Sequence, residues 1–325
     1  MHENLNQLTE KIISQLINPP SITLYNILLN HIQEAIYFVD QQRNITFWNH
    51  GAEKITGYNR SEIQGKRCPA NIILQLDNQN MSICQKNCPI LKTMQDGSIR
   101  NLTAFLQHKA GHRIPVTMQT FPIRNNDNQI TGAAALFSES IPKVAIPQNS
   151  LDLQRMDMMD SLTGLGNKTY IEMQLKSRFA EVKKYSFSFG LLMVDIDNFK
   201  KFNEVHGRHT GDKIIKSVGQ TLYSNIRFFD TVGRWKEDKF ILIILNITET
   251  KLDVVANKLR LLVSQSHIRE GMHLIGVTVS IGATLARSLD KPETIIYRAE
   301  RLSKHSKWLG KNRVSTKINN DTFKD

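Results

Sequence analysis

Residues 189–194, Phe-Gly-Leu-Leu-Met-Val, form an apolar run of strand length, and the chain then turns abruptly to Asp195-Ile196-Asp197-Asn198-Phe199-Lys200. Such a run reads as a buried strand, and an acid between a strand and a helix is a common way of carrying a carboxylate to a site at the end of a sheet. A second unbroken apolar run covers 240–245, after a short strand pattern at 231–235, so the residues between them read as a hairpin turn. The chain must therefore bury at least two strands and bring an acid to the end of one of them.

Further motifs follow in order around these strands. Asp160-Ser161-Leu162-Thr163-Gly164-Leu165 precedes them, and Phe202-Asn203 and Gly211-Asp212 follow the first. Arg234 stands just before the turn, and Ser280-Ile281-Gly282-Ala283, Lys307 and Gly310-Lys311-Asn312-Arg313 come later. With these motifs at these spacings, the stretch from about 160 to 314 resembles the GGDEF family of diguanylate cyclases. The resemblance implies a symmetric dimer in which two GTP molecules condense into cyclic di-GMP. Each 3′-hydroxyl attacks the other's α-phosphate, and Mg2+ neutralises the phosphates. It matches Asp195 to the metal-binding acid, with the Ile196 carbonyl beside it, and Asn203 and Asp212 to the guanine-reading pair. Lys307 and Lys311 match the phosphate-binding basic residues. Lys311 replaces an arginine, which keeps the charge and loses the bidentate fork. The alternative for Asn203 and Asp212 is a pair of helix-surface or capping residues, but their joint spacing favours a retained purine pocket.

The hairpin departs from the family. Lys236-Glu237-Asp238-Lys239-Phe240 stands where the resemblance calls for Gly-Gly-Asp-Glu-Phe. Glycines allow positive φ in the turn and let a nucleotide lie against the backbone. Lys236 and Glu237 are expected to strain that turn and to project into the space of GTP. Asp238 keeps the acid that in the family helps hold metal and draws the 3′-hydroxyl proton; the alternative is a solvated turn residue. Lys239 turns a carboxylate near the metal into an ammonium. At about 4 Å and an effective dielectric near 20 each unit-charge interaction is roughly 4 kcal/mol, so inversion shifts the balance by about twice that. Rotation of Lys239 into solvent would remove most of this cost. Two functions follow from these residues: a module that binds GTP, cyclic di-GMP or a protein partner without turnover, or a slow cyclase using Asp195 and Asp238. Arg227-Phe228-Phe229-Asp230 has the spacing of the family's inhibitory cyclic di-GMP site, with Lys258 as a further cation. The alternative is a strand-entry arginine with a neighbouring acid.

The preceding residues are patterned differently. Ala35–Asp40 and 45–49 read as strands, 51–56 as a helix, and 102–108, 113–123 and 130–137 as later strands. Their order, with Gly57-Tyr58 and Glu62-Ile63-Gln64-Gly65-Lys66 between them, resembles a PAS sensor domain, a family that takes haem, flavin, metabolites or no ligand. Its ligand here is not readable. Cys68, Cys84 and Cys88 are ordinary thiols, a redox pair, or ligands of a metal or iron–sulfur centre completed by His108, His112 or Asp77. Cys68 lies near the flavin-reactive position of photosensory relatives, but its neighbours do not reproduce that motif.

The expected fold is α+β: a PAS domain with an antiparallel sheet and flanking helices, then a GGDEF domain with a central sheet surrounded by helices. The expected order is an amino-terminal helix in 1–23, the PAS domain in 24–140, a linker or signalling helix in 141–159, the GGDEF domain in 160–315 and a tail in 316–325. At 325 residues there is room for two cores. The net charge of +12 is scattered, with no helix-turn-helix signature, so nucleic acid is not an expected partner. No apolar stretch is of membrane-spanning length and no signal-peptide pattern is present, so a cytoplasmic homodimer is expected.

Overall fold

The computed structural model describes residues 29–30, 32–68, 88–140, 158–185, 188–287 and 289–318. The expected amino-terminal helix in 1–23, Asp77, Cys84 and most of the 141–159 connector lie outside them. The chain divides into two compact units. Among the described residues no helix is long and apolar enough to cross a membrane.

The amino-terminal sheet contains β1 (Ala35–Asp40), β2 (Ile45–Trp48), β3 (Arg100–Gln107), β4 (Arg113–Arg124) and β5 (Ile130–Glu139), in the order β2-β1-β5-β4-β3. β1 runs antiparallel to both neighbours, with Tyr37 opposite Trp48 on one side and Ala135 on the other. Three helices accompany it, α1 (His50–Thr56), α2 (Arg60–Ile63) and α3 (Pro89–Asp96). Asn49 fixes where α1 begins. Its Oδ1 accepts from the amides of Ala52 (2.9 Å) and Ile36 (2.8 Å), and its Nδ2 donates to the carbonyls of Leu29 and Glu34 (2.9 Å each). All four positions of a fully buried amide are thereby satisfied.

The carboxy-terminal unit is built on β6 (Phe189–Ile196), β7 (Thr231–Lys236), β8 (Lys239–Leu245), β11 (Val279–Leu285) and β12 (Val314–Ser315), in the order β12-β11-β6-β8-β7. β9 (His267–Glu270) and β10 (His273–Gly276) form a separate antiparallel pair. The helices are α4 (Lys168–Tyr185), α5 (Phe199–His206), α6 (Arg208–Ser224), α7 (Glu249–Ser264) and α8 (Pro292–Trp308).

Every residue of β6 is buried because both faces of the sheet are covered. Leu192, Val194 and Ile196 pack in one core with Ile214, Val218, Leu252 and Ala256 from α6 and α7. Phe189, Leu191 and Met193 pack in another with Ile171 and Leu175 of α4 and Ile295 and Ala299 of α8. Gly282 of β11 is what lets α8 come so close, since a Cβ there would lie 2.1 Å from the Ala299 carbonyl. The period of two along a strand then fixes the site. Asp195 shares the parity of Met193, and Lys239 on β8 that of Ile241 and Ile243, so both belong to the face that α8 covers.

Candidate functional site

Asp195, the penultimate residue of β6, lies directly opposite Lys239, its antiparallel partner on β8. It is 5 % exposed. Lys307 of α8 donates from Nζ to Asp195 Oδ1 and, at 3.2 Å, to the Ile196 carbonyl. The Lys239 ammonium stands 3.8 Å from Asp195 Oδ2 and 3.0 Å from Glu300 Oε1. Burial, aided by Asp238, pushes the Asp195 carboxyl above its usual range, and the two ammoniums offset only part of that. Burial opposes the charge on Lys239, yet Glu300, Asp195 and Asp238 outweigh it and raise its pKa. Lys239 therefore does not rotate into solvent as the sequence allowed; strand parity delivers it to two carboxylates.

The turn is tighter than the sequence pattern implied. Strand pairing continues to Lys236 opposite Lys239, leaving Glu237 and Asp238 as its two-residue tip. Glu237 takes φ of 43°, while Lys236 stays out of the left-handed region. Lys236 and Glu237 are exposed and do not line the adjoining cleft, so the expected intrusion of their side chains into it is not observed. Arg234 steadies the turn through Nε to the Glu237 carbonyl (2.8 Å) and pairs with Asp160 at 3.2 Å.

That cleft encloses about 460 Å³ and is lined by residues 198–201 and Glu204 together with Asp238, Lys307 and Lys311. Lys311 adopts φ of 64° in a loop whose Asn312 amide donates to Asp197 Oδ2 (3.0 Å). Asp197 also accepts from the hydroxyls of Thr278 and Ser280, each at 2.7 Å, so the acid that directly follows β6 serves to anchor this loop. Asn203 and Asp212 do not line the cleft. The Asn203 side chain lies over Gly211, where a Cβ would come within 1.9 Å of Oδ1, and that oxygen is buried without a hydrogen-bond partner. Asp212 is exposed.

The Arg227–Asp230 pair is a folded corner. The amides of Arg227 (3.1 Å) and Leu245 (3.0 Å) each donate to one Asp230 carboxylate oxygen, and burial raises the pKa of that acid. Arg227 stays exposed with its guanidinium 5.8 Å from the Phe229 ring. Lys258 is half-buried on α7, which lowers its pKa. In the amino-terminal half Cys68 and Cys88 are buried and form no disulfide among the described residues. The His108 and His112 rings stack at 4.2 Å, and burial, with His108 alongside, pushes His112 down to about 3. No cluster of three or more metal-ligating side chains occurs among the described residues.

The donors singled out for Mg2+ do not fit that ion in this arrangement. Asp195 Oδ1 and the Ile196 carbonyl are both engaged by Lys307, and a second ammonium stands at Oδ2. Sequence reasoning missed Glu300 and the anchoring role of Asp197. Glu300 lies seven residues before Lys307, two turns along one helix face, and that spacing was the available signal.

Comparison with known proteins gives the same two domains. Residues 157–313 match the family described as diguanylate cyclase, GGDEF domain, and 33–139 match the PAS domain family. Diguanylate cyclase DgcS of Shewanella oneidensis is 31% identical over 167 residues, covering 50% of this chain and 55% of that protein. Diguanylate cyclase A of Treponema denticola is 28% identical over 242 residues, 72% of this chain and 65% of that protein. The chain thus spans 55% and 65% of the lengths of these two curated relatives. Among solved structures, the coiled coil and GGDEF domain of DgcB from Caulobacter crescentus in complex with c-di-GMP is similar at a TM-score of 0.48 and 25% identity, covering 50% of this chain and 87% of that one.

Proposed function

The chain belongs to the PAS–GGDEF proteins of the diguanylate cyclase family, and from that premise we propose that its GGDEF domain binds a guanine nucleotide without condensing it and relays the state of the PAS domain in cyclic di-GMP signalling. The observation that carries this reading is Lys239 beside Asp195. A cyclase centre must draw a proton from a 3′-hydroxyl and stabilise charge developing at an α-phosphate. Here Asp195 is bound between two ammoniums, which leaves Asp238 and Glu204 as the acids lining the cleft. The lysine lining and the exposed guanidinium of Arg227 remain suited to a nucleotide. In this reading GTP enters the cleft, cyclic di-GMP meets Arg227, and two copies of the chain pair to pass on the signal.

A slow cyclase is the second reading, and it is favoured by Asp238 and Lys307 lining one cleft. Incubation of the pure chain with GTP and Mg2+, followed by chromatography of the nucleotides, separates the two. The proposal expects GTP to be recovered unchanged. Turnover to cyclic di-GMP that is abolished by Asp195→Ala would overturn it.

A further inference from the structure

The charges around Asp195 sum differently from those of a centre that needs a divalent cation. Lys239 and Asp195 are direct cross-strand partners of opposite sign, an arrangement that is stabilising as it stands; two acids in those positions would repel. Glu300 gives Lys239 a second carboxylate at 3.0 Å, so the ammonium is held from two sides with 23 % of its side chain exposed. Lys307 meanwhile closes the other oxygen of Asp195 and the Ile196 carbonyl. Around the cleft itself, Lys200, Lys201, Lys307 and Lys311 face only Glu204 and Asp238. Lys200, Lys201 and Lys311 make no ion pair among the described residues. The cleft is therefore already electropositive without any added ion.

We propose that Lys239 serves as a built-in cation at Asp195, and that the cleft takes a polyphosphate, the triphosphate of a guanine nucleotide, in the absence of divalent metal. The inference rests on the reading that this cleft is a nucleotide site and names the form of the ligand. Lysine ammoniums contact phosphate as point charges and need no bridging ion to do so. A free polyphosphate carries more negative charge than its magnesium complex, so a cleft of this sign gains nothing from the metal.

Calorimetry on the full chain tests this with inorganic triphosphate and with GTP, each in Mg2+ and in EDTA. In the wild type, EDTA leaves both affinities within about threefold of their values in Mg2+ or strengthens them, a change under about 0.7 kcal/mol. In Lys239→Glu, binding in EDTA weakens by about tenfold or more and Mg2+ restores it. Lys239→Met removes the charge while keeping an apolar stem, and it weakens binding in EDTA even if the glutamate variant fails to fold. GTP binding by the wild type that requires Mg2+ overturns the metal-free inference and leaves the nucleotide-binding function standing. Triphosphate binding in EDTA with no preference for GTP supports metal-free binding by the cleft and overturns the guanine reading, and equal binding in EDTA by wild type and Lys239→Met overturns the cation role of Lys239. No binding of either probe overturns both.

Discussion

Asp195 and Asp197 are two residues apart, equally buried, and differ in everything else. Asp195 faces α8 and is balanced by two ammoniums, whereas Asp197 has two hydroxyls and an amide as neutral donors. The motif made the first legible as a site residue but could not distinguish the second, because its partners come from residues 278, 280 and 312 and meet only in the fold. Removing its carboxylate strands three donors, each costing about 1–3 kcal/mol if left unpaired in the interior. Asp197→Ala is thus expected to lose about 3 kcal/mol in urea denaturation and to weaken triphosphate binding through the Lys311 loop; an unchanged midpoint contradicts the anchor. Asp160 gives a pH test. Burial alone would raise its pKa, but hydrogen bonds from Thr163 and the charge of Arg234 outweigh that and lower it. Its contribution is present above the ordinary value of 3.8 and is lost as pH falls through the lower folded value. Asp160→Asn should therefore lose about 1 kcal/mol at neutral pH, and the gap to wild type should close in strong acid. A gap that persists or widens there would assign the loss to something other than the carboxylate charge.

At the scale of elements, the hairpin was legible in position and less so in shape. The strand patterns at 231–235 and 240–245 are each extended by one residue, because Lys236 and Lys239 still pair. Polar side chains at strand ends carry no periodic signal, so the ladder continues where the apolar run stops. That pairing also leaves only one residue in a conformation glycine would favour. A non-glycine residue in the left-handed region costs about 1 kcal/mol, while glycine in a strand loses a similar amount in chain entropy. Glu237→Gly should then stabilise the chain by about 1 kcal/mol and Lys236→Gly destabilise it by about 0.5–1 kcal/mol in thermal or urea unfolding. Equal effects of the same sign would show that the two positions share one backbone requirement. The amino-terminal strands were also legible to within about two residues, since alternating burial and turn glycines mark them; Cys84 and Asp77 lie outside the described residues.

At the scale of the whole molecule, both domains were readable from motif order, and the family comparisons agree. What sequence alone left undecided was whether Lys239 escapes its acidic neighbours, since that depends on which sheet face α8 covers. In the proposed account the nucleotide cleft survives and turnover is lost through Lys239, while Glu237 holds the turn in a backbone conformation that glycine would favour. Condensing two GTP molecules needs two such domains, so the repair belongs in the full chain with the PAS domain present. The most direct measurement is cyclic di-GMP formed from GTP and Mg2+ by the combined Lys236→Gly, Glu237→Gly and Lys239→Glu variant, beside the wild type. The account predicts product from the repaired chain and none from the wild type. A repaired chain that is folded, dimeric and GTP-binding yet makes no product would contradict it.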